Sequence, residues 1–251
     1  MDIIRISNGD HERYEGLLLQ RDHLEKEAFT YQQAYIREFG DLTVQAFRLK
    51  IDCISLKKSI TFCTAAKNRG EKPDTAKLDA YLAAQMAAYH ERLNEMMNER
   101  DAAQKGKPIS FYEVGEIKKI YRRIAKMLHP DLSPLTGEYP ELSDLFQRTM
   151  IAYQCNDLQE LRDLEVLINR ALEEKGIEGI EVDIPDLAQR ILELESEIGR
   201  ILSTEPYLYK DLLADAFRIQ AKKEELTAEI EEYKAYKEQL EKWLRAAMEE
   251  D

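Results

Sequence analysis

The chain has 251 residues, with 36 Lys and Arg against 49 Asp and Glu, giving a formal net charge of -13. That balance argues against duplex DNA or RNA as the main partner, because phosphate binding needs a local excess of cations. No apolar run approaches the roughly 20 residues of a membrane span, and the first residues, MDIIRISNGDHER, lack the basic-then-apolar pattern of a secretory signal.

Charged residues make up 34% of the chain, while Gly and Pro number only 10 and 7. This predicts an all-α fold of long helices and coiled coils. The first helix is expected from about Asp10 to Phe39, with Gly40-Asp41 as a stop and a new cap. The second shows an apolar seam at Leu42, Ala46, Leu49, Cys53, Leu56, Ile60 and Cys63, the alternating 4,3 spacing of a coiled coil. Cys53 and Cys63 on one helix are separated by roughly 15 Å of rise. A disulfide tolerates roughly 7 Å between Cα atoms. With an odd cysteine count and no CxxC, a reducing, cytoplasmic location is expected.

NRGEKPD reads as a turn. A third helix is expected from Thr75 to about Gln104, with Leu78, Leu82, Tyr89, Leu93 and Met96 on one side. Short connections between long helices imply antiparallel neighbours, so residues 1–106 read as an elongated three-helix bundle. KGKP then breaks the pattern, and Ser110 with Glu113 reads as a capping box. A helix to about Leu128, a Pro/Gly loop, a helix from Pro140 to Gln154 and one from Asp157 to Glu174 form a second domain, 107–175. Asp157 with Glu160 is a second capping-box candidate.

Residues 176–251 read as a linker followed by long coiled-coil helices. Pro185 opens a helix with Leu187, Ile191, Leu194, Ile198 and Ile201 as its seam. The last helix keeps the 4,3 spacing from Leu212 to Ala247 and is expected to run roughly 65 Å. Its seam must be covered by the N-terminal bundle or by a second copy of the chain, which leaves a homodimer through this helix open.

The stretch KKIYRRIAKMLHPDLSP, residues 118 to 134, carries the most information. Ile117, Tyr121, Ile124 and Leu128 mark one buried face. Lys118, Lys119, Arg122, Arg123 and Lys126 fill the other, and no acid occurs between Ile117 and Leu128. Like charges at i,i+4, such as Lys118 and Arg122, repel. Cations near a helix C-terminus recover part of that cost from the dipole. An unmixed basic face in an acidic chain points to an acidic partner. Pro130 then ends the helix and leaves His129 at its terminus.

IKKIYRRIAKMLHPD resembles, without a gap, helix II and the loop of the J-domain (DnaJ) family. Phe146, Ala152 and Tyr153 resemble that family's helix III pattern, and Phe111-Tyr112-Glu113-Val114 resembles its opening YYEV. The likeness covers about residues 108 to 170. It implies a protein without an active site of its own, a co-chaperone that docks on the ATPase of a seventy-kilodalton heat-shock chaperone. Lys118, Lys119, Arg122, Arg123 and Lys126 would steer association, and His129, Pro130 and Asp131 would trigger ATP hydrolysis. Tyr121, Ile124, Leu128, Phe146 and Tyr153 would be core. Only Gly115-Glu116 separate YEV from the basic helix. The family's first helix is therefore shortened, fused to the second, or replaced by the helix ending near Gln104. Leu132-Ser133 stand where the family has Lys-Asn, which removes a cation. The flanking helical arms would supply client choice or dimerisation.

No Walker loop, GxGxxG, HExxH or nucleophile elbow is present. His11, His23 and His90 have no Cys or His at metal-ligand spacing and read as surface or interhelical residues, so no cofactor or metal is implied. The competing reading is a scaffold whose J-like unit is a spacer between coiled coils. An exposed His129 beside an open basic face favours the co-chaperone. A face covered by the chain's own helices favours the scaffold.

Overall fold

The computed structural model describes residues 8–105, 111–177 and 186–248, and these are all-α, with nine helices and no strand. In chain order the helices are α1 (Asn8–Asn68), α2 (Thr75–Lys105), α3 (Phe111–Leu128), α4 (Leu135–Glu138), α5 (Pro140–Gln154), α6 (Leu158–Glu174), α7 (Leu187–Ser203), α8 (Tyr209–Leu213) and α9 (Ala216–Met248). Among them none is long and apolar enough to cross a membrane.

They form two compact units. One comprises Met1–Tyr31 with Lys107–Leu208, the other Gln32–Gly106 with Tyr209–Asp251. The compact units are therefore interleaved, not the consecutive 1–106, 107–175 and 176–251 expected from sequence. The first reason is that α1 does not break at Gly40. A helical glycine costs only about 1 kcal/mol relative to Ala, which packing readily offsets. Here a Cβ on Gly40 would lie 3.2 Å from Arg100 Cγ of α2 and 3.3 Å from Ile36 Cγ2. The glycine lets the antiparallel α2 approach and does not stop the helix. In place of three helices over 1–106 there are two, and the two halves of α1 belong to different units.

In the second unit, α1 uses two stripes. Val44 and Ile51 pack on Met86 and Leu93 of α2, with Phe47, Ile54, Met96 and Met97 around them. Leu78, Met86 and Leu93 are buried on α2, and Tyr89, an expected seam residue, is exposed. The expected seam through Ala46, Cys53 and Cys63 serves α9. Cys53 Sγ lies 3.6 Å from Tyr233 O, Lys237 pairs with Asp52 at 2.7 Å, and Lys223 pairs with Glu38. Leu226, Ile230 and Leu240 of α9 are buried there. The 4,3 seam of the last helix is thus covered within its own chain. The helix is also shorter than expected, 33 residues. It starts afresh because the Asp215 carboxylate accepts from Phe217 N–H at 2.9 Å, an N-cap.

In the first unit, α3, α5 and α6 share a core of Ile117, Ile124, Leu128, Leu142, Leu161 and Leu164, each fully buried. Asp157 caps α6 by accepting from Glu160 N–H at 3.0 Å, as the spacing predicts. Ser110 of the other expected capping box, and Pro185, expected to open the next long helix, lie outside the described residues. The expected loop after His-Pro-Asp contains the short α4. α7 returns to the first half of α1. Leu187, Ile191 and Leu194 pack on Tyr14 and Leu18, and Ile198 and Ile201 pack on Leu24. Of the three placements expected for the segment before the basic helix, the fused one is seen, because Phe111-Tyr112-Glu113-Val114 and the basic stretch form one unbroken helix, α3. α1 enters the core beside α3, through Leu19.

Candidate functional site

The site grows from the C-terminal end of α3. Its core face is fixed by the spacing of Ile117, Tyr121, Ile124 and Leu128, all buried. Lys118, Lys119, Arg122, Arg123 and Lys126 are consequently exposed on the far side. His129 N–H still donates to Ala125 O at 2.8 Å, but Pro130 has no N–H to extend the helix. The N–H groups of Leu132 and Ser133 donate back to His129 O at 2.8 and 2.9 Å, which closes a tight turn.

Within that turn Pro130 is exposed and Asp131 half-exposed, whereas His129 is only 4% exposed. The His129 ring meets Phe146 of α5 edge-on at 5.5 Å between centroids. Asp131 N–H donates to its Nδ1 at 3.1 Å. A ring nitrogen that accepts a backbone N–H carries no proton, which assigns the proton to Nε2. Nε2 lies 3.5 Å from Asp22 Oδ2 and 3.3 Å from an Arg21 terminal nitrogen, both on α1.

Asp22 joins the two helices. Its side chain is fully buried and accepts from the Tyr121 hydroxyl at 2.6 Å and from Arg21 at 2.8 Å. Burial is the largest influence on its carboxyl and pushes it up. The hydrogen bonds from His129, Tyr121 and Arg21 together outweigh burial and hold it below the usual carboxylate range. Tyr121 is raised in turn, by burial first and then by the Asp22 charge. Arg21 also stands 3.7 Å from Asp131 Oδ2 and 3.9 Å from Glu197 of α7. Leu132 packs with Tyr14, Leu18 and Leu187. An apolar residue stands where the resembled family has a cation because helices of this chain lie over it.

The basic side chains are partly engaged from within. Lys126 pairs with Glu15 of α1 at 2.7 Å, and Lys118 donates to His23 Nε2 at 2.8 Å. Arg123 pairs with Glu165 of α6 at 2.6 Å, and Lys119 with Glu116 at 2.9 Å. Exposed pairs of this kind contribute little to stability, so they bias the side chains without locking them. Arg122 has no ion pair among the described residues. The eight residues singled out in the sequence are therefore contiguous, but only Pro130 and Arg122 are both exposed and uncommitted.

No protein-family model, curated protein or solved structure matches this chain. Its site stands on its own geometry. No group of three or more His, Cys, Asp or Glu side chains among the described residues is arranged to hold a metal ion.

Sequence reasoning missed the α1 partners: Glu15, Arg21, Asp22 and Lys26. A signal was present. Leu19, Asp22 and Lys26 follow one another at helical 3,4 spacing, so two charged residues occupy positions where an apolar seam would continue. Both are buried, at 2% and 5% exposure. Buried charges at seam positions require partners, and the Tyr121 hydroxyl and His129 are those of Asp22.

Proposed function

We propose that the chain is a J-domain-type co-chaperone adaptor that docks on the ATPase of a seventy-kilodalton heat-shock chaperone, with its trigger histidine covered by α1 in the resting form. The observation that carries this reading is the continuity of one surface. The exposed basic face of α3 runs directly into the Pro130-Asp131 part of the turn, with His129 beneath it, and the chain continues through α4 to α5, which stacks back on α3 through Tyr121 and Tyr153, whose ring centroids are 3.9 Å apart. On this reading Lys118, Lys119, Arg122, Arg123 and Lys126 steer an acidic partner, Pro130 and Asp131 make first contact, and His129 acts once α1 yields. The protein then has no catalytic residue or cofactor of its own, works in the cytoplasm, and takes its client through surfaces outside the loop.

A specific observation favours the second reading, a scaffold with a structural His-Pro-Asp turn. Both His129 ring nitrogens face polar groups of this chain, and Lys126 is paired with Glu15. Single-turnover ATP hydrolysis by the chaperone separates the two. The wild type, Asp22→Asn and His129→Gln are compared, each checked for folding by circular dichroism. Stimulation that rises in Asp22→Asn and vanishes in His129→Gln supports the covered co-chaperone. No stimulation by the wild type or by Asp22→Asn supports the scaffold.

A further inference from the structure

Between the first half of α1 and α3 lies a pocket of about 380 Å³, within the range of small-molecule sites. Its deepest residues are Leu19, Tyr121 and Tyr153. Lys118, Lys119 and Arg122 of α3 line it, and no carboxylate among the described residues does. Lys119 is met by Glu116. The Lys118 ammonium donates to His23 Nε2, a nitrogen that Glu27 also approaches at 3.2 Å, and Arg122 has no ion pair among the described residues.

A second feature points the same way. Lys26 Nζ lies 3.9 Å from the centre of the Tyr153 ring, which lines the pocket. Lys26 is 5% exposed, and its Nζ has no hydrogen-bond partner. Burial first, and the Lys118 charge second, lower its pKa to about 8. In a chain with 49 acids and 36 bases, three cationic side chains line this pocket and no carboxylate among the described residues does. Burying a charge without a partner costs free energy, and an anion placed at Lys118 and Arg122 would offset that cost.

We infer that this pocket binds a small phosphate monoester, with the phosphate held by Lys118 and Arg122 and the organic group over Leu19 and the two tyrosines. Lys118 and Arg122 stand one turn apart, roughly 5–6 Å between Cβ atoms, which suits two charges on one dianion. The guanidinium fork matches phosphate oxygens. The volume leaves room beyond the phosphate. Gly16 also lines the pocket, and a Cβ there would meet nothing within 4 Å, so this position leaves the entrance clear. The inference does not use the chaperone reading, and its test involves no chaperone.

The test is calorimetric titration of the full chain with inorganic phosphate, ribose 5-phosphate and adenosine monophosphate, with ribose and adenosine as controls. The expected result is saturable binding of a phosphate ester with a stoichiometry of one and none of the controls. Arg122→Gln and Lys118→Gln should each weaken it roughly tenfold or more, the loss of one charge-assisted hydrogen bond. Gly16→Leu should abolish it by filling the entrance, while the melting temperature stays level or rises because leucine is the better helix former. Inorganic phosphate binding as tightly as the esters, with the same losses in the variants, supports the site and identifies free phosphate as its ligand. No saturable binding of any probe up to about 10 mM, beyond the millimolar limit of weak affinity, would overturn the inference. Binding unaffected by Arg122→Gln and Gly16→Leu would overturn it too.

Discussion

The Tyr121 hydroxyl of α3 donates to Asp22 Oδ2 of α1 at 2.6 Å, out of contact with water. One carboxylate thereby ties α1 to α3 and, through His129, to the turn that ends α3. Replacing it with alanine leaves a tyrosine hydroxyl, an imidazole N–H and part of a guanidinium unsatisfied. Removing one member of a buried charged network costs about 3–5 kcal/mol. Arg21 has Asp131 and Glu197 nearby as substitutes, so Asp22→Ala is expected to lose about 3 kcal/mol, measured by urea denaturation at pH 7. A loss indistinguishable from zero would mean that the network does not hold the helices together.

The same carboxylate sets an acid limit. Its native pKa lies below the ordinary value of 3.8, so the native state binds its proton less readily than the unfolded state. The resulting stabilisation is complete above the ordinary value and is lost as pH falls through the depressed one. Wild-type stability should therefore drop more steeply below about pH 4 than that of Asp22→Asn. Parallel curves for the two proteins would remove Asp22 from the acid transition.

Lys26 gives the opposite behaviour at the alkaline end. Its pKa falls from 10.5 to about 8 on folding, so its charged form opposes the fold. The penalty is complete below about pH 8 and disappears as pH rises towards the unfolded value. Lys26→Met keeps the stem and removes the charge. It should stabilise the protein at pH 7 by about 3 kcal/mol, a gain that shrinks on going to pH 10. A destabilised Lys26→Met protein would mean that the ammonium over the Tyr153 ring is net favourable.

The thiols provide an independent check on burial. Cys155 is exposed at the end of α5, while Cys53 and Cys63 are buried within the second unit and raised, mainly by burial. An aromatic disulfide reagent should react rapidly with one thiol per native chain and reach the other two only at the rate of opening. Fast reaction of all three would mean that α9 does not cover the α1 seam.

Much of this was legible in the sequence, for local reasons. The bounds of α3, α5 and α6 follow from Pro130, Pro140 and the Asp157 cap, each of which acts within one turn of its own position. The seams of α7 and α9 follow from 4,3 spacing. Gly40 was misleading because a glycine that ends a helix and one that admits a neighbour look alike without Arg100. For the same reason the sequence leaves open whether His129 is exposed or covered. Its environment is set by Arg21 and Asp22, more than a hundred residues earlier in the chain. Nothing in the spacing around residue 129 encodes them. The resemblance to a co-chaperone loop identified the residues of the turn but not what lies over them.

The seam of α9 decides the expected oligomeric state. Leu226, Ile230 and Leu240 are buried within the chain's own second unit. Ile219, on the same seam, is half-buried. A coiled-coil dimer through α9 would have to strip these residues from α1 first, exposing apolar area at about 25 cal/mol per Å². Light scattering should therefore give the monomer mass of 29.3 kDa at every concentration. Ile230→Asp should lower the melting temperature without changing that mass, since a buried charge without a partner disrupts the unit itself. A dimer that Ile230→Asp dissolves would place the seam between two chains and overturn this assignment.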